Sequence, residues 1–139
     1  MTWIREFRFG NPTLDDMQDS PDPESVVQRQ LDAYNARDID ALMATYAQDA
    51  QIFEHPATLL ADGAAQIRER QAVRLREPNL HAALVQRVVM GNLVIDHEKV
   101  TRTFPEGPGR IEMVAMYEVR QGKIARAWFA FGAKILDPR

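Results

Sequence analysis

Two short stretches hold the side chains best suited to moving protons. In "AQDAQIFEHPATLLADG" (residues 47–63) an apolar strand pattern runs into Glu54, His55 and Pro56. In "VIDHEKV" (residues 94–100) Asp96, His97 and Glu98 interrupt another strand pattern at its middle. A carboxylate becomes a useful general base or acid when burial disfavours its charged form, whereas an imidazole titrates near neutrality without help. Strand alternation sets Ala50, Ile52 and Glu54 on one face and Gln51, Phe53 and His55 on the other, and a one-residue bulge would exchange them. The bland alternative pairs Glu54 with Arg68 or Arg70 and leaves His55 in an exposed turn. In residues 94–100 the pattern leaves three choices open: Asp96 and Glu98 inward, His97 inward, or a solvated edge face.

Other chemistries are excluded or disfavoured. The chain has no cysteine, so a thiol nucleophile, a disulfide and a cysteine zinc site are ruled out. His55, His81 and His97 lack the close spacing of zinc ligands, and neither a metal nor a cofactor is expected. The net charge of −3 gives no basic excess for a phosphate backbone, so no nucleic-acid partner is expected. Arg68, Arg70, Arg74 and Arg76 form a stripe interrupted by Glu69 and Glu77, which reads as a solvated helix face. No apolar run approaches the ~18 residues of a membrane span. The first residues carry charges where a signal peptide would be apolar, and the expected compartment is the cytoplasm.

The 139 residues suit one domain. Residues 1–22 read as an alternating N-terminal arm followed by an Asp/Pro-rich linker, and residues 23–139 as the folded domain. Helical spacing places Val26, Val27, Gln30, Leu31 and Tyr34 on one face, and Asp38 can cap a second helix bearing Ile39, Leu42, Met43 and Tyr46. Pro56 should end the strand that follows, or keep it at an edge. "GAAQIRERQAVRLRE" is a third helix, closed by Pro78, and four strand patterns then follow, joined by short Gly-containing turns as an antiparallel meander. The expected fold is α+β: a cone-shaped, strongly curved antiparallel sheet with three N-terminal helices packed across its concave face, and a cavity between them.

The order of elements, with "YNARDIDALMATYAQDAQIFEHP", "GAAQIRER" and a closing "YEVRQGKIARAWFAF", resembles the nuclear transport factor 2-like superfamily, which includes ketosteroid isomerase, SnoaL-like polyketide cyclases and limonene epoxide hydrolase. The resemblance spans residues 24–132. Glu54, nine residues before Gly63, matches the isomerase's base. The isomerase's hydrogen-bond donors match Gln30 and Ala115, neither of which can act as a neutral acid; the donor role would pass to Tyr117, on the same face as Ala115, or to Gln30. The water-activating Asp-Arg-Asp set of limonene epoxide hydrolase has no evident counterpart.

The resemblance implies a domain that binds a small apolar molecule and, if catalytic, an isomerase or cyclase working by proton transfer next to a carbonyl. Glu54 would be the base, His97 or His55 an assistant and Tyr117 the donor to the oxyanion. Gln30, Leu31, Tyr34, Tyr46 and Ile52 would line the pocket from the helices and first strand, with Met113, Ala115, Phe129 and Phe131 from the meander. The alternative is a non-catalytic ligand-binding or protein-interaction module. Val114, Met116 and Trp128 fall on the convex face, an apolar surface that a homodimer would cover, or that the N-terminal arm could cover in part.

Overall fold

The computed structural model describes residues 21–139, so the arm and nearly all of the linker lie outside the described residues. Helix α1 (Pro23–Ala36) begins where its sequence dictates: the Asp22 carboxylate accepts the Ser25 amide at 2.9 Å and Pro23 opens the first turn. Its buried face carries Val26, Val27 and Leu31. Arg37 ends it in the left-handed region at φ 59, and its guanidinium donates to the carbonyls of Leu75, Glu77 and Pro78. That side chain ties the end of α1 to the loop after the third helix.

Asp38 caps α2 (Ile39–Met43) through the Ala41 amide. The helix is shorter than its apolar spacing suggests. The Thr45 hydroxyl donates back to the Leu42 carbonyl at 2.7 Å, and Tyr46 opens strand β1 (Tyr46–Glu54) instead of extending the helix. Pro56 turns the chain rather than stopping it: residues 55–57 make a hairpin turn into β2 (Thr58–Asp62), a strand the sequence pattern did not reveal. Pro56 needs no ladder N–H there. Gly63, at φ 93, leads into α3 (Ala64–Arg74).

The meander follows as β3 (His81–Met90), β4 (Leu93–Phe104), β5 (Gly107–Arg120) and β6 (Lys123–Phe131), each antiparallel to the next, and a short β7 (Ile135–Leu136) adds to β5. The sheet order is β2-β1-β6-β5-β4-β3. One pair, β1 with β6, is parallel, so the sheet is mixed and not wholly antiparallel as expected. Tight turns force antiparallel pairing within the meander; β1 is joined to it only through β2 and α3, a connection long enough to allow either sense.

The sheet is curved and unclosed, with register shifts between Ile52 and Phe53, Leu84 and Gln86, and Glu118 and Val119. Its inner face packs Ile52, Val94, Ala115 and Ala127 against Val26, Val27 and Leu31 of α1 and Ile67 of α3, forming the core. No helix among the described residues is long and apolar enough to cross a membrane.

Candidate functional site

A cavity opens between α1, α3 and the inner face of the meander. It holds about 530 Å³ of empty space, its open mouth included. Its apolar wall comes from Leu31, Ala82, Met113, Phe129 and Phe131, with Tyr117 meeting Phe129 edge to face at 6.3 Å between centroids. Its polar groups are Gln30 and Tyr34 from α1, Arg70, Gln71 and Arg74 from α3, Tyr117 from β5 and, among the described residues, one acid, Glu98 from β4.

β4 decides which acids look inward. Val94, Asp96, Glu98 and Val100 alternate along its buried face, while Leu93, Ile95, His97 and Lys99 point the other way. Asp96 is fully buried but neutralised: Arg87, its cross-strand partner on β3, donates to both oxygens at 2.7 and 2.9 Å and reaches Gln28 of α1 at 2.9 Å. Glu98 is only 2% exposed, and no described residue hydrogen-bonds its carboxylate. Burial pushes it up to about 7, the Asp96 charge adds to the rise, and Arg87 opposes it.

Phenols surround this acid. Tyr117 and Tyr46 are both raised, first by burial and then by the Glu98 charge, so their hydroxyls stay protonated as donors. Tyr34 is raised by burial, against the charge of Arg74. The Tyr46 hydroxyl and the Gln30 Oε1 are buried with no hydrogen-bond partner among the described residues. At the mouth, Arg70 is held down by burial and by its neighbour Arg74, with Glu54 pulling the other way.

The expected site residues separate into three groups. Gln30, Leu31, Tyr34, Met113, Tyr117, Phe129 and Phe131 line the cavity together. Tyr46, Ile52 and Ala115 lie in the core behind it, buried but not lining. The four expected catalytic groups reach the cavity only through Tyr117. Glu54 pairs with Phe129 and so shares the pocket's side of the sheet, but it ends β1 at the rim, exposed and outside the cavity's lining. His55 is exposed in the hairpin turn. His97 is a correction: it lies on the convex face, its Nε2 2.5 Å from Glu112 Oε2, because alternation cannot turn it inward with Asp96 and Glu98.

Arg70, Gln71, Arg74 and Ala82 line the cavity without having been singled out for it. The stripe on the third helix was legible as a set of charges, yet only helix packing separates Arg70 and Arg74, turned in, from Arg68, which pairs outward with Asp40 at 2.6 Å. Among the described residues no three His, Asp or Glu side chains converge as metal ligands.

With this geometry in view, known proteins can be compared. An uncharacterised cystatin-fold protein from Novosphingobium aromaticivorans superimposes with a TM-score of 0.73 at 24% identity, covering 79% of this chain and 98% of that one. A candidate polyketide cyclase from Sinorhizobium meliloti gives 0.64 at 26% identity, covering 81% and 96%. An LEH-like epoxide hydrolase of M. tuberculosis gives 0.69 at 14% identity, covering 79% and 82%; that likeness shows the shared fold alone. No curated protein matches the chain. The sequence model of the SnoaL-like domain matches residues 27–127, most of the folded part, and the chain therefore belongs to the SnoaL-like domain family.

Proposed function

We propose that the cavity binds a small, largely apolar molecule and that Glu98 moves a proton on a carbon next to its carbonyl, in an isomerase or cyclase type of reaction without a cofactor. The observation that carries this reading is one carboxylate, 2% exposed and without a hydrogen-bond partner among the described residues, set against the cavity's apolar wall, with its neighbour Asp96 already paired with Arg87. An acid held up to about 7 exchanges protons readily at neutral pH. In the step itself Glu98 takes the proton from the carbon, charge develops on the carbonyl oxygen, and the Tyr117 hydroxyl donates a hydrogen bond to it. Glu98 then returns the proton at the product position. Glu54, at the rim, has no proton to move in this scheme.

The test is deuterium exchange at the carbons flanking the carbonyl of 2-tetralone in D2O, followed by NMR. Wild type should accelerate exchange, and Glu98→Gln should lose at least about a hundredfold of that acceleration. Binding of 2-tetralone without acceleration would instead favour the non-catalytic ligand-binding module.

We further propose that the convex face seats a second copy of the chain. That face carries Val88 (47% exposed) and Met90 (60%) on β3, Val114 (41%) on β5 and the Phe53–Trp128 stack across β1 and β6, whose centroids are 5.8 Å apart. Apolar groups so grouped are costly to leave in water.

A further inference from the structure

Arg68, Arg70, Arg74 and Arg76 succeed one another along α3 and the turn after it. Packing treats them differently. Arg68 is paired with Asp40 outside, whereas Arg70 and Arg74, one helical turn apart, both line the cavity. Arg74 reaches Glu77 at 3.3 Å, but Glu77 already receives two hydrogen bonds from Arg102, each 2.8 Å. One carboxylate thus serves two guanidinium groups. Arg70 has no carboxylate within 4.0 Å among the described residues and makes no hydrogen bond to them. The charges that act on it are Arg74, Arg102 and Glu54, and only the last, on the exposed rim, is negative.

Two like charges drawn partly out of water at a cavity mouth add nothing to the fold. We propose that the ligand of this cavity is an apolar carboxylic acid, its carboxylate held by Arg70 and Arg74 and its ring or chain lying against Met113, Phe129 and Phe131. The assignment rests on the reading of the cavity as a small-molecule site and adds the charge of the molecule it takes. Guanidinium groups suit a carboxylate because their N–H groups match its two oxygens. Glu98, the one acid lining the cavity among the described residues, is held mostly neutral below about pH 7, so it does not repel such a guest there.

Isothermal titration at pH 6 with 2-naphthoate and 2-naphthamide, which share ring and shape but not charge, tests this. Wild type should bind the acid at least about tenfold more tightly than the amide, the scale of a hydrogen bond to a charged group. Arg70→Gln should reduce that preference, Arg70→Lys should keep more of it, and Arg70→Gln combined with Arg74→Gln should abolish it. Glu98→Gln should retain it in full. Because Arg70 bonds to nothing else described, Arg70→Gln should melt with wild type, which separates loss of the contact from loss of the fold. Equal binding of acid and amide, or a preference undiminished when Arg70→Gln and Arg74→Gln are combined, overturns the carboxylate assignment while leaving the apolar cavity standing. Failure of both probes to bind overturns the assignment together with the small-molecule reading beneath it.

Discussion

Arg87 grips Asp96 through two parallel hydrogen bonds of 2.7 and 2.9 Å, and Glu98, two residues further along the same face of β4, receives none from the described residues. The two buried acids of one strand thereby take opposite parts. The first is a structural anion with its own cation; the second is left to the cavity.

Breaking the pair should be expensive. Arg87→Met leaves Asp96 buried without its partner and should destabilise the protein by about 3–5 kcal/mol in urea denaturation. Arg87→Met combined with Asp96→Leu removes both charges and should recover most of that loss. Equal destabilisation in the single and double variants would show that packing, and not charge pairing, is what Arg87 supplies.

Glu98 should make stability fall as pH rises. Its folded pKa, about 7, lies above the 4.5 of a free glutamate, so the folded state keeps a proton that the unfolded chain releases. The burden is absent below pH 4.5, grows between 4.5 and 7, and is complete above 7. Glu98→Gln, which titrates nowhere, should gain on wild type by roughly 3 kcal/mol between pH 4.5 and 8. A difference that stays constant across this range would mean that Glu98 ionises as a solvated acid.

Exchange of 2-tetralone protons should separate the two glutamates. Glu54→Gln, at the exposed rim, should alter the rate by less than about threefold, in contrast to the loss in Glu98→Gln. A collapse of the rate in Glu54→Gln alone would restore the rim residue as base. Tyr117→Phe should lower the rate by about 10²–10³, the scale of removing one oxyanion donor, and leave ligand binding nearly intact.

The convex face gives a test by mass. Wild type should elute as a dimer in size-exclusion chromatography with light scattering, and Val114→Lys, which plants a charge in the middle of β5, should shift it to monomer without unfolding it. A monomeric wild type would count against the second copy.

Much of this architecture was legible in the chain. Asp38 caps its helix as the pattern of acids and apolar residues suggested, and the Gly-containing turns Gly91–Asn92 and Gln121–Gly122 join antiparallel strands. Period and turn chemistry are local, so they survive in the sequence. β2 escaped because Pro56 carries the same signal whether a strand ends or doubles back. The parallel β1–β6 pair escaped because nothing local fixes the sense of strands joined through a helix.

The site divides along the same line. By itself the sequence determined which side chains share a strand face: Met113, Ala115 and Tyr117 together, Phe129 with Phe131, and His97 apart from Asp96 and Glu98. Alternation is a property of the backbone and holds in any surroundings. Which of the two faces of β4 looks into the cavity was decided only in three dimensions, when Arg87 on the neighbouring strand met Asp96 and closed that side over Glu98. So was the division of the α3 arginines, since four like residues differ only in what the fold sets opposite them. Burial and partnership are long-range quantities. They turn Glu98 into the cavity's acid and leave Glu54, a glutamate at the end of an apolar strand, in water.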